Sequence, residues 1–156
     1  MKLKLICVGA KPPTWIQTGI DEYTKRLPKH WHVEQRLLAG ADRTRPASAL
    51  DYQLAEAKLI QAALTPGAKT VVLDERGQSF SSQTLADTLA TWQMHDGHID
   101  FVIGGADGLA PTLMQQAHSS WSLSQLTLPH ALARLLLIEQ LYRAASLISG
   151  HPYHRG

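Results

Sequence analysis

Apolar positions along the chain follow two alternating rhythms. "KLKLICVG" (2–9) alternates and then turns wholly apolar, which predicts a strand entering a buried sheet. After the loop residues "KPPTW", Trp15, Ile16, Ile20, Tyr23 and Leu27 recur at helical spacing until Pro28 stops them. "HVEQRLLA" (32–39) reads as a second strand, and "GADRTRP" as a polar loop carrying Arg43 and Arg45. From Ala47 to Leu64, the residues Leu50, Leu54, Ala57, Ile60 and Leu64 trace one helical face, and "TPG" ends it. "KTVVLDERG" (69–77) predicts a central strand closed by acidic residues and Gly77. Ser81 or Ser82 is positioned to cap a helix with Leu85, Leu89 and Trp92 on its inner face. "HIDFVIGGADG" (98–108) predicts a strand running into glycines, and "APTLMQQAHSS" a helix opened by Pro111. "WSLSQLTL" (121–128) reads as a fifth strand and "PHALARLLLIEQLYRAASLIS" as a long final helix.

Strands that alternate with helices predict an α/β fold, a parallel sheet with helices on both faces. In such sheets a ligand sits beyond the carboxyl ends of the strands, where the strand order reverses. "VVLDERG", "FVIGGADG" and "LSQLTLPH" should all end there. The final helix is apolar around much of its girth, which predicts burial, with a second subunit as the natural extra cover. Glu139 and Arg143, four apart on that helix, are placed to pair.

Composition narrows the picture without deciding it. The chain has 156 residues, enough for one domain spanning 1–156, and shows neither an internal repeat nor a linker. A net charge of +2 is too mild to mark a nucleic-acid binder, and it leaves RNA, small molecules and proteins open as partners. Cys7 is the single cysteine, so no disulfide framework exists and a reducing, cytoplasmic setting is expected. The apolar run at the start is short and interrupted by Lys4, unlike a signal peptide, and no stretch reaches membrane-spanning length.

The candidate chemistry sits at the strand ends. Gly104 and Gly105 lack Cβ atoms, so backbone there can approach a ligand or another segment closely. "IGGADG" matches neither a Walker loop nor the dinucleotide fingerprint, and a plain tight turn fits it as well. In "LSQLTLPHALAR", Pro129 can open a helix without losing a bond. The backbone groups of Leu123 to Leu128 could there read a planar heterocycle, with His130 and Arg134 near the helix start. A simple strand, turn and helix fits the same residues. Asp74 and Glu75 suit a ribose hydroxyl or a solvated loop equally. The pairs His95/His98 and His151/His154 lack a third ligand at a telling spacing, so no metal is expected. No G-x-S-x-G elbow is present.

Taken together, "VLDERG", "FVIGGADGL", "WSLSQLTLPHALARLLLIEQLYRA" and the terminal "HPYHR" resemble the SPOUT-class RNA methyltransferases. Within that class the chain is similar over essentially its whole length to the small family that methylates N3 of a pseudouridine in 23S rRNA. The resemblance implies a C-terminal trefoil knot, a homodimer, and S-adenosylmethionine as cofactor. It implies cofactor contacts at Leu73, Gly104, Gly105, Leu123, Ser124, Gln125, Leu126, Thr127 and Leu128. It implies action on the assembled ribosome, since no residues remain for a separate RNA-binding domain.

The reaction then needs a cation near the imide, from Arg143, Arg155 or His130, and a proton acceptor, His154 or His130. Tyr153 is placed to stack on a base and Arg155 to meet a phosphate or the imide oxygens. Asp107 is assigned no catalytic role. Two other readings stay open: a related enzyme acting on transfer RNA, and an inactive ribosome-binding module.

Overall fold

A computed structural model describes residues 1–95 and 97–155; the side chain of His154 lies outside the described residues. Five strands form one sheet: β1 (Lys2–Val8), β2 (His32–Leu38), β3 (Lys69–Ser79), β4 (His98–Ile103) and β5 (Ser119–Ser122). Their order is β2-β1-β4-β3-β5, and every pairing is parallel. The helices are α1 (Thr14–Arg26), α2 (Ala49–Ala63), α3 (Ser82–His95), α4 (Pro111–Gln116) and α5 (His130–Ser149). A 3₁₀ turn over Pro152–Arg155 follows α5.

The two-residue period of the strands distributes the core. Leu3, Leu5 and Cys7 of β1, with Ile99 and Phe101 of β4, face a layer containing Ile16 and Ile20 of α1, Leu85 and Leu89 of α3, and Leu137, Ile138 and Leu141 of α5. Ile6, Val8, Val72 and Val102 point the other way, against Ala57 and Ile60 of α2 and Leu109, Ala110 and Leu113 around α4. The predicted α/β architecture with helices on both faces is therefore the observed one.

Three boundaries differ from the sequence reading, each because a side chain competes with the expected pattern. α2 begins at Ala49 rather than Ala47, because Ser48 forms a capping box with Asp51. The helix expected over "APTLMQQAHSS" ends at Gln116, and Ser119 and Ser120 join the sheet opposite Val71 and Val72. The fifth strand stops at Ser122, so the strand expected over 121–128 is mostly loop. Ser122 Oγ donates to the Ser124 carbonyl at 2.8 Å, and Leu126 N–H donates to Ser124 Oγ at 2.9 Å. These short-range bonds divert the backbone from the ladder.

β3 carries the feature that shapes the site. Leu73 and Gln78 both pair with Trp121, so Asp74 to Gly77 bulge out of the ladder. Gly77 permits this crossing: a Cβ there would lie 2.6 Å from the Trp121 carbonyl carbon and 2.9 Å from that of Ser120. Trp121 itself is clamped in an aromatic cluster, stacked on Trp92 at 5.4 Å and tilted against Phe80 at 5.0 Å.

Candidate active site

The carboxyl ends of β3, β4 and β5 enclose a cavity of about 460 Å³, a size that suits a small-molecule ligand. Its walls come from the three segments singled out by the sequence: Leu73 to Arg76, Ile103 to Leu109, and Leu123, Ser124, Leu126, Thr127 and Leu128. His130 and Ala133 of α5 and Gln53 of α2 complete the lining. Gln125 is absent from the wall, because the turn around Ser124 carries it outward into solvent.

Close backbone packing forms the floor. A Cβ on Gly104 would lie 2.9 Å from the Leu109 side chain, and one on Gly105 would lie 2.6 Å from Glu56 Oε2. Glu56 is buried on α2 and accepts the Ala41 N–H at 3.0 Å. It thus joins the loop after β2 to the glycine turn after β4. Gln53 Nε2 donates to the Asp107 carbonyl at 2.6 Å, and Arg43 forms an ion pair with Asp107. Arg43 also lies over the Tyr52 ring at 4.3 Å.

The opposite wall is closed by charge and hydroxyl contacts. Thr127 Oγ1 donates to Glu75 Oε2 at 2.7 Å, tying the loop before α5 to the β3 bulge. Burial alone would raise the Asp74 carboxyl, but hydrogen bonds from the Arg76 guanidinium and N–H hold it below the usual range. Asp74 therefore remains an anion on the cavity wall at neutral pH.

Arg143 and Tyr153, also nominated by the sequence, form a second, separate cluster. Arg143 donates to Glu139 Oε1 at 3.1 Å through Nε, the i,i+4 pair expected from spacing. Tyr153 donates to the same oxygen at 3.0 Å and sits 3.2 Å from the Tyr23 hydroxyl. The Arg143 guanidinium lies 4.9 Å from the centre of the Tyr153 ring. Burial, then the bonds to Tyr23 and Glu139, push the Tyr153 phenol well above its ordinary range, so it stays protonated. Arg155 is exposed, and the expectation for the His154 side chain falls outside the described residues.

His130 lies at the cavity, whereas Arg143 is thirteen residues further along α5. At a helical rise of about 1.5 Å per residue the two are about 20 Å apart. Within one protomer, the cavity and the tail cluster do not meet.

Sequence reasoning missed Gln53 and Glu56, which sit within a helical stretch read only for its apolar face. A carboxylate between Leu54 and Ala57 was the one available signal for Glu56.

A parallel α/β sheet with a ligand-sized cavity at its carboxyl edge and a glycine-floored turn agrees with the family that the comparisons return. The family described as "Predicted SPOUT methyltransferase" matches residues 1–154, and the chain belongs to it. Among individual proteins, it is 46% identical over 155 residues to Ribosomal RNA large subunit methyltransferase H of Ralstonia pickettii, covering 99% of each chain. It is 47% identical to the protein of the same name from Burkholderia lata, again over 99% of each. A solved structure described as a probable methylase family protein from Haemophilus influenzae superposes with a TM-score of 0.58 at 10% identity. That match covers 97% of this chain and 69% of the other, and it speaks for the fold alone. The chain is a methyltransferase of the SPOUT class.

Proposed function

We propose that the protein transfers a methyl group from S-adenosylmethionine to N3 of a pseudouridine in 23S rRNA, on the assembled ribosome in the cytoplasm. The observation that carries this reading is the convergence of Leu73, Gly104, Gly105 and the Leu123–Leu128 loop on one cavity. The near full-length identity to proteins named for large-subunit ribosomal RNA supplies the substrate class.

The cavity fits the cofactor on its own features. Its volume is ample, the backbone at Gly104 and Gly105 packs close against Leu109 and Glu56 to form its floor, and Leu73, Ile103 and Leu128 offer apolar walls. Leu73, Gly104, Gly105 and the run Leu123, Ser124, Leu126, Thr127 and Leu128 would hold it, in a loop that we read as part of a trefoil knot. When bound, the cofactor supplies a methyl group activated by a sulfonium centre. The Asp74 anion favours positive charge at this wall.

The chain's own residues then have three tasks. They align the imide nitrogen with the methyl carbon, which removes a large share of the barrier. They stabilise the deprotonated imide with a cation, and they accept its proton. His130, at the cavity, is the base within reach in the same protomer. Arg143, Tyr153, His154 and Arg155 lie at the other end of α5, so their role requires a second copy that brings its tail to the cavity. The protein is accordingly read as a homodimer with composite sites. Tyr153 stacks on a base and Arg155 meets a phosphate or the imide oxygens.

Deleting Tyr153 to Gly156 tests this division of labour. The shortened protein should bind S-adenosylmethionine with unchanged affinity in calorimetry and transfer no methyl to ribosomes. Full transfer by the shortened protein would refute the role of the tail.

A further inference from the structure

A second cavity, of about 290 Å³, lies on the α1/α5 face of the sheet over β1 and the edge strand β2. We propose that it is an anion site that takes one phosphate group, distinct from the methyl-donor cavity.

The Arg134 guanidinium is carried on the first turns of α5 into the protein, and the residue is only 5% exposed. A buried cation needs a full set of acceptors or a counter-charge. Among the described residues Arg134 meets neither. Its Nη2 donates to the Ala10 carbonyl at 3.3 Å, and its Nε is buried without an acceptor. No carboxylate among the described residues lines the cavity. Cys7, on the wall, cannot supply the charge, because burial pushes its thiol up to about 11 despite the nearby Arg134.

The rest of the wall has the same sign. Lys11 lines the cavity and is exposed to solvent. The amide residues Gln17 and Gln35 add hydrogen-bonding capacity. Arg36 also borders the cavity, but it pairs with Ile6 in the sheet, so its side chain belongs to the opposite face. Two cationic residues, Arg134 and Lys11, beside the apolar Leu5 and Pro12 make a pocket suited to an oxyanion. A tetrahedral anion would give the orphaned Nε its acceptor. The phosphate could be a free phosphomonoester or a phosphodiester of the RNA backbone; the second source rests on the function proposed above.

The test uses the full-length protein labelled for arginine side-chain NMR and titrated with inorganic phosphate. The Arg134 Nε–H signal should move saturably, and Lys11→Gln should weaken the apparent affinity about tenfold, the loss of one charge-assisted contact. Lys11→Gln should leave S-adenosylmethionine binding unchanged, which separates this site from the donor cavity. An Nε–H signal that phosphate does not move, or that moves equally in Lys11→Gln, overturns the proposal. Ribosome binding across a salt series then distinguishes the sources. A backbone phosphate makes the Lys11→Gln slope of log K against log salt shallower by about 0.9. An unchanged slope with phosphate binding intact assigns a free phosphomonoester.

Discussion

Gly105 shows how narrowly the cavity at the strand ends is built. Its missing Cβ is what allows Glu56 to lie against the turn, with Oε2 only 2.6 Å from where that carbon would be. Glu56 is buried and also holds the Ala41 N–H, so it cannot simply swing away. Gly105→Ala should therefore cost about 1–3 kcal/mol of stability, as overpacking generally does. It should also weaken donor binding, because the displaced turn lines the cavity. Urea unfolding and calorimetry would read the two effects; a variant as stable as the parent would contradict the packing argument. The glycines themselves were legible in the sequence as sites of close backbone approach. Their partner was not, since Glu56 lies far away in sequence and only the fold brings it under the turn.

Among the elements, α2 and β5 show where periodicity succeeds and where it fails. The apolar spacing of α2 gave its existence and the buried positions Ala57 and Ile60, but Leu50 and Leu54 of the same expected face are exposed, and the first residue was set by the Ser48–Asp51 capping box. Hydrogen bonds to Ser48 hold the Asp51 carboxyl below its ordinary value of 3.8. A carboxyl with a lowered folded value contributes stability that is present above its unfolded value and lost as pH falls through the folded one. Ser48→Ala should cost about 1 kcal/mol near neutrality. The difference in melting temperature from the parent should shrink once the pH falls below about 4. A difference independent of pH would show that the box adds nothing through Asp51. The fifth strand reads in sequence as the eight residues 121–128, yet only Trp121 and Ser122 of these pair, joined by Ser119 and Ser120 before them. The serine side chains that turn the chain away leave no periodic trace, and the resulting loop is what walls the cavity.

At the scale of the whole molecule, α5 is the component on which the proposed homodimer rests. Its buried side is filled by α1 and α3, yet Leu136 and Ile148 remain 38% and 41% exposed. Arg143, paired with Glu139 and lying over Tyr153, sits about 20 Å along α5 from His130 at the cavity. The sequence made both groups of residues visible together with the long helix between them, and their separation follows from that helix's length. If the sites are composite, two inactive variants should rescue one another. Leu128→Trp, which fills the cavity, and the protein lacking Tyr153 to Gly156 should each be inactive. Mixed in equal amounts after subunit exchange, they should recover about a quarter of the parental rate, since half the dimers then carry one intact site of two. No recovery, with exchange verified, would place each tail at its own protomer's cavity and undo the dimer argument.

The central claim is a methyl transfer to one pseudouridine of the large-subunit RNA. It is tested most directly by incubating the protein with ribosomes and S-adenosylmethionine labelled on the methyl group, then locating the label by mass spectrometry of the digested RNA. The account predicts one labelled methyl per ribosome, on N3 of a pseudouridine in the 23S rRNA, and none when that position carries uridine. Label on transfer RNA instead, or tight donor binding with no labelled RNA of any kind, would contradict it.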